Sequence, residues 1–309
     1  MRWRKLGVVY NPDGSLPWMH SHAAIPTPLD LGDGRLRIFV SPRDAKGMSR
    51  VGFVDVDATD PTRVLRVADQ PCLDIGRPGT FDDNGAVCTS VVRLADGRLL
   101  MYYVGFELCT HIRYRLLTGA AISNDNGEHF EKVAATPILE RSPQELYFRC
   151  GPFVMRDTTQ ERELFRMWYV AGSDWTNVGG KDVPVYEMRY MESPDGLLWP
   201  LEGETVMRLG NDEHGFGRPW IMRAEDGFKL HYSIRKISVG YRMGYAESGD
   251  GRDWTRMDEQ LGLDVSPAGW DSEEIMYSAV VETGGRQYAF YNGNDFGGTG
   301  FGVARLESA

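Results

Sequence analysis

Residues 81–105 read F-D-D-N-G-A-V-C-T-S-V-V-R-L-A-D-G-R-L-L-M-Y-Y-V-G. Two acids, Asp82 and Asp83, lead into an apolar run from Ala86 to Leu94; Asp96-Gly97 follows, and a second run, Leu99 to Val104, ends at Gly105. An Asp-Gly pair between two β-rich runs predicts a hairpin, because glycine accepts the positive φ that a tight turn demands.

The same unit recurs four times along the chain. It is found at S-H-A-A-I-P-T-P-L-D-L-G-D-G-R-L-R-I-F-V (21–40), R-C-G-P-F-V-M-R-D…E-L-F-R-M-W-Y-V-A-G (149–172), F-G-R-P-W-I-M-R-A-E-D-G-F-K-L-H-Y-S (216–233) and E-I-M-Y-S-A-V-V-E-T-G-G-R-Q-Y-A-F-Y-N-G (274–293). The aromatic near the end of each second strand is Phe39, Tyr103, Tyr169, Tyr232 and Tyr291, spaced 64, 66, 63 and 59 residues apart. A near-constant period of sheet-forming units predicts a propeller or array. Most hairpins are followed by a further strand and a polar turn closed by an aromatic: I-S-N-D-N-G-E-H-F (122–130), E-S-P-D-G-L-L-W (192–199) and E-S-G-D-G-R-D-W (247–254). Phe130, Trp199 and Trp254 are expected to pack between neighbouring sheets.

Each unit therefore reads as a four-stranded meander. The fifth unit runs out of chain after three strands, and R-W-R-K (2–5) resembles D-W-T-R (253–256), so the N-terminal strand is expected to complete it and cover an exposed edge. The expectation is an all-β, five-bladed β-propeller in one domain, 1–309. Its blades fall at about 20–68, 81–134, 147–202, 215–258 and 274–306 plus 2–9.

Composition narrows the partners. The 309 residues are 42% hydrophobic, enough for a large core, and 36 glycines without a collagen-like period suit a turn-rich β fold. A net charge of −10 with no basic run argues against nucleic acid, whose binding rests on phosphate neutralisation. No stretch approaches the ~20 apolar residues of a membrane helix, and the polar N-terminus is unlike a secretory signal. Cys72, Cys88, Cys109 and Cys150 lack C-x-x-C spacing, so a reduced, cytoplasmic protein is expected. The sequence says nothing of the oligomeric state.

The period, the Y-Y-x-G strand ends and the S-x-D-G-x-x-W turns resemble the superfamily of glycoside hydrolase families 32, 43, 68 and 130. Within it, the chain looks most similar to glycosidase-like proteins of bacterial polysaccharide-biosynthesis clusters. The shared signatures are S-H-A-A-I-P (21–26), F-D-D-N-G (81–85), R-P-W (218–220), W-D-S-E (270–273) and Y-N-G-N (291–294). The resemblance implies a carbohydrate or sugar-containing small molecule in an axial pocket. It also implies three carboxylates at the starts of inner strands, on the first, second and third blades. Asp83 or Asp82 matches the second; Ser21-His22 stands in place of the first, and Phe148-Arg149-Cys150 in place of the third, with Glu145 just upstream.

Glycoside cleavage needs one protonated and one ionised carboxyl, ~5 to 9.5 Å apart. The expected catalytic residues are Asp83 (or its neighbour Asp82), Glu274 or Glu273 and His22. The acids immediately precede apolar inner strands, and an imidazole titrates near neutrality. Neighbours on an extended chain face opposite ways, so one acid of each pair is expected to reach the axis. Asp82, Arg218, Trp220, Tyr277, Asn294 and Trp18 are expected to bind substrate, Arg218 as a planar anion clamp and the aromatics as a sugar platform. Each has a plainer reading as a turn acid, a salt-bridge arginine or inter-blade packing. No cofactor is expected; a divalent cation held by His22, Asp83 and Glu274 is conceivable, without any local ligand spacing to support it. The expected function is a glycoside hydrolase-like enzyme. A glycosyltransferase or phosphorylase on the same fold, and a non-catalytic sugar-binding propeller, are the alternatives.

Overall fold

The computed structural model describes residues 1–159 and 162–308 and is built almost wholly from strands. After β1 (Arg2–Tyr10) the chain forms antiparallel groups in sequence order. The first is β2 (Ser21–Asp30), β3 (Arg35–Arg43), β4 (Gly52–Asp57) and β5 (Val64–Val67). The next is β6 (Ala86–Arg93), β7 (Leu99–Leu108), β8 (Tyr114–Ser123) and β9 (Glu131–Lys132). Then come β10 (Phe148–Asp157), β11 (Leu164–Val178), β12 (Lys181–Ser193) and β13 (Glu204–Met207), and β14 (Glu213–Ala224), β15 (Gly227–Lys236), β16 (Gly240–Ser248) and β17 (Thr255–Arg256). Last are β18 (Met276–Thr283), β19 (Arg286–Asn292) and β20 (Phe301–Ser308), with β1 pairing antiparallel to β20 as the fourth strand. Short parallel bridges, Phe148 with Leu116 and Tyr186 with Gly215, link the three middle groups into one twelve-stranded sheet.

Asp96-Gly97 makes the expected turn, with Gly97 at φ +88°. The second strand of that hairpin runs on to Leu108 instead of ending at Gly105. Gly105 is a point of close approach: a Cβ there would sit 2.5 Å from the Phe81 ring and 2.7 Å from Asp82. The glycine admits the acid-bearing loop against the strand.

The aligned aromatics explain many of the buried acids. Tyr103 donates to Asp82 at 2.9 Å, Tyr169 to Glu145 at 2.6 Å, Tyr232 to Asp258 at 2.6 Å and Tyr291 to Asp271 at 2.9 Å. Each carboxylate is also paired with a cation: Lys132 at 2.5 Å, Arg189 at 3.1 Å, Arg256 at 2.8 Å and Lys5 at 2.6 Å, respectively. Burial, reinforced by the neighbouring acid, pushes each of these tyrosines far above its ordinary range, so they remain donors. The first group carries Phe39 at this position and instead buries Arg37 against Asp55, at 2.8 Å.

Neighbouring groups are stitched through the polar turns. The Ser123, Ser193 and Ser248 hydroxyls accept the amides of Gly127, Gly196 and Gly251. A side chain of the preceding group then donates to a turn carbonyl: Arg37 to Asn126, Tyr102 to Gly196 and Trp168 to Gly251. Phe130 lies edge-on to Phe39, and Trp199 to Tyr102, as expected for aromatics between sheets. The repeat is thus an inter-sheet docking device as well as a turn signal.

Candidate functional site

The first strand of each group carries a register shift at an equivalent place. The shifts lie between Ala24 and Thr27, Cys88 and Ser90, Cys150 and Phe153, Gly217 and Trp220, and Met276 and Ala279. Bulges re-aim side chains and carbonyls. Two of them place non-glycine residues at positive φ, Ile25 at 55° and Tyr277 at 58°, a strain of ~1–3 kcal/mol each.

Arg218 holds these bulges together. Its guanidinium is fully buried and donates to the carbonyls of Pro26 (2.9 Å), Tyr277 (3.2 Å) and Thr89 (3.3 Å) and to the Thr27 hydroxyl (2.9 Å). Four strand groups therefore meet on one side chain. Burial pulls its pKa down to about 9, still high enough for full charge at neutral pH. The expected anion clamp is corrected: every donor is spent on protein oxygens.

Above this hub lies a cavity of about 670 Å³, within the range of small-molecule sites. Its inner wall is apolar, with Val87, Val104, Cys150, Val170 and Phe216, and carries none of the carboxylates that the resemblance places on the first three blades. The extended β11–β12 hairpin contributes Val178, Lys181, Val183 and Pro184. The lining has two carboxylates, Glu274 and Asp295, both from the last strand group, and six Arg or Lys residues: Arg43, Arg113, Lys181, Arg218, Arg235 and Lys236.

Glu274 is half-buried, and burial raises its pKa above the ordinary glutamate value. The backbone amides of Tyr241, Phe296 and Asp295 oppose that rise by facing its carboxylate, Tyr241 N at 3.4 Å. Asp295 and Phe296 present these amides from the left-handed region, at φ 55° and 53°. Behind Asp295 stands His22, its Nε2 3.9 Å from Asp295 Oδ2 and its Nδ1 2.9 Å from the Ser21 hydroxyl. The His22 Nε2 is buried without a hydrogen-bond partner among the described residues, and burial holds its pKa below the ordinary value. Tyr277 lines the cavity and meets Tyr241 hydroxyl to hydroxyl at 3.1 Å.

The remaining expected residues lie elsewhere. Asp82 is buried in its tyrosine–lysine pair, and Asp83 accepts the Gly79 amide at 2.8 Å and the Asn84 side chain; neither lines the cavity. The expectation that one of them reaches the cavity fails because Asp82 anchors the loop to Tyr103 and Lys132 while Asp83 folds the loop on itself. Glu273 is exposed, with its backbone amide bound to Asn294, and the Asn294 side chain is committed to the 273–274 amides and the Gly269 carbonyl. Trp220 donates to the Val280 carbonyl at 2.7 Å beneath Arg218, and Trp18 donates to Asp69 and packs over Gly52, so neither offers a platform to the cavity. His22, Asp83 and Glu274 are not brought together, and the described residues contain no group of three or more His, Cys, Asp or Glu able to hold a metal.

The residues missed carried a repeat signal. Four positions beyond the aligned aromatic stand Arg43, Glu107, Ser173, Lys236 and Asp295, and three of these five line the cavity. Arg235 and Tyr241, on adjacent strands β15 and β16, gave no such sign.

No protein-family model matches the chain. Solved structures place the fold among glycoside hydrolase-like propeller proteins. A structure described as a glycoside hydrolase superposes with a TM-score of 0.79 at 18% identity, covering 99% of this chain and 92% of the other. A thermostable family-43 glycoside hydrolase gives 0.69 at 16% identity, covering 94% and 91%. A structure from work on the GH130 family of mannoside phosphorylases, said to contain glycoside hydrolases that target β-1,2-mannosidic linkages in Candida mannan, gives 0.72 at 15% identity over 98% and 93%. In sequence, the chain is 35% identical over 309 residues, the full length of both, to the uncharacterised protein Rv1502 of Mycobacterium tuberculosis strain H37Rv, and it belongs to the same family. The uncharacterised protein MT1551 of strain CDC 1551 matches equally, at 35% over the same span.

Proposed function

We propose that the chain is a carbohydrate-active enzyme of glycosidase type, in which Glu274 is the proton donor. The observation that carries this reading is a half-buried carboxyl with a raised pKa on the wall of a ligand-sized cavity. In this reading Glu274 protonates the leaving glycosidic oxygen as the C–O bond breaks. Asp295, the other carboxylate of the lining, takes a proton from the water that attacks the anomeric carbon. His22, 3.9 Å from Asp295, lies next to that carboxylate. The strand groups stand as five blades of one closed domain over 1–309, with β1 completing the last, so that every inner strand delivers one end to the cavity. All four cysteines are free, which suits a reducing, cytoplasmic compartment and an intracellular sugar conjugate, such as one used in polysaccharide assembly.

The test is turnover on a substrate found by screening aryl glycosides and oligosaccharides. Glu274→Gln is expected to lose about 100-fold or more in kcat, within the range for a general acid, while Asp83→Asn keeps wild-type turnover. Retention of activity by Glu274→Gln would sink the reading.

A further inference from the structure

The chain carries a net charge of −10, yet its cavity gathers six cationic side chains against two acids. Elsewhere in the molecule, buried and half-buried arginines find carboxylates: Arg37 with Asp55, Arg149 and Arg189 with Glu145, Arg256 with Glu213 and Asp258. Apart from Arg218, whose donors are spent, the cavity cations differ. Among the described residues, none of Arg43, Arg113, Lys181, Arg235 and Lys236 forms an ion pair with a carboxylate.

Arg235 is the best placed of them. Its guanidinium lies 4.8 Å from the Tyr186 ring centre and 5.1 Å from that of Tyr241, and its Nε donates to the Tyr241 hydroxyl. Two aromatic rings flank the group, and its terminal nitrogens have no hydrogen-bond acceptor among the described residues. A half-buried cation without a counter-ion is costly, and a planar fork flanked by two rings suits an oxyanion.

We infer that the cavity selects a sugar bearing an anionic group, a hexuronate carboxylate or a phosphate ester, and that Arg235, backed by Lys236 and Arg43, receives that group. The inference rests on reading the cavity as a sugar site, and it concerns binding only, so it is tested without turnover. Titration calorimetry on the wild-type chain compares methyl glucuronoside and methyl galacturonoside with the matching neutral methyl glycosides, and glucose 6-phosphate with glucose. Inorganic phosphate is run alone.

At least one anionic probe is expected to bind 10-fold or more tighter than its neutral partner, weakening as salt rises, and whichever arm shows the preference identifies the group. Arg235→Gln is expected to erase the preference while leaving the weak neutral binding unchanged. Should Arg235→Gln fail to fold by circular dichroism, Lys236→Gln is expected to reduce the preference severalfold. Equal binding of charged and neutral sugars, no binding by any anionic probe, or an unchanged preference in a folded Arg235→Gln chain would each overturn the inference. So would binding of inorganic phosphate without any anionic sugar, which would make Arg235 a site for free phosphate. Loss of the Glu274 reading in the turnover test leaves these outcomes unaffected, so the two ideas fail separately.

Discussion

The Tyr103 hydroxyl donates to Asp82 Oδ2 at 2.9 Å, and the same oxygen takes Lys132 at 2.5 Å. This pair turns an acid at the mouth of a strand into a buried anchor, repeated in chemistry by Tyr169–Glu145, Tyr232–Asp258 and Tyr291–Asp271. Asp82, which looks catalytic in a linear reading, is thus one of the acids that fasten loops to strands.

Removing one partner of that pair should cost stability and spare the cavity. Tyr103→Phe is expected to cost about 1.5–3 kcal/mol, one hydrogen bond to a charged acceptor. Asp82→Ala strands Lys132, which is only 21% exposed, and is expected to cost ~3–5 kcal/mol. Urea unfolding measures both; sugar affinity should stay within twofold for Tyr103→Phe.

Arg218 should behave as an axle. Arg218→Met leaves the carbonyls of Pro26, Thr89 and Tyr277 without their donor and releases the strained bulges at Ile25 and Tyr277. A loss of ~3 kcal/mol or more is expected, read from the urea midpoint. A chain of wild-type stability would refute the role given to this residue.

Glu274 predicts a pH signature. Its folded pKa lies above the ordinary value of 4.5, so the native state keeps a proton that the unfolded chain has released. Stability contributed at this site is therefore intact below 4.5 and falls as pH rises through the raised value. Glu274→Gln is expected to be as stable as wild type at pH 4 and more stable at pH 7. Thermal melts across that range check the sign. Activity, in turn, should fall as pH climbs past the raised pKa, because the donor has lost its proton.

His231 sets an opposite slope. It is buried between Trp3 and Tyr245, and burial, helped by Lys229, pushes its pKa down to about 3. The unfolded chain takes up a proton near 6.5 that the folded chain refuses, so stability is lost as pH falls through that window. Between pH 7 and pH 5 the expected loss is on the order of 2 kcal/mol. His231→Phe should flatten it, as followed by urea titrations at the two pH values.

The hairpin at 81–105, its relatives and the Ser-x-Asp-Gly turns were legible because they are local. A glycine at positive φ, an alternating apolar strand and an aromatic at a fixed distance each leave a mark within ten residues. The N-terminal pairing was legible too, since Trp3 repeats the pattern of Trp254 and the last three strands lack a partner.

The candidate site was legible only in part. Glu274 and Tyr277 reach the cavity as expected, and so do the unforeseen Arg43, Lys236 and Asp295, each four positions after its aromatic, whereas Asp83, Glu273, Trp18, Trp220 and Asn294 do not line it. Sequence alone established the β repeat and a set of polar strand ends. Only the tertiary structure decided which ends meet and what each polar group is spent on. An acid next to a strand reads the same whether its partner is a tyrosine 21 residues away, as for Asp82, or an open cavity, as for Glu274. The difference lies in long-range hydrogen bonds and burial, which no local pattern encodes.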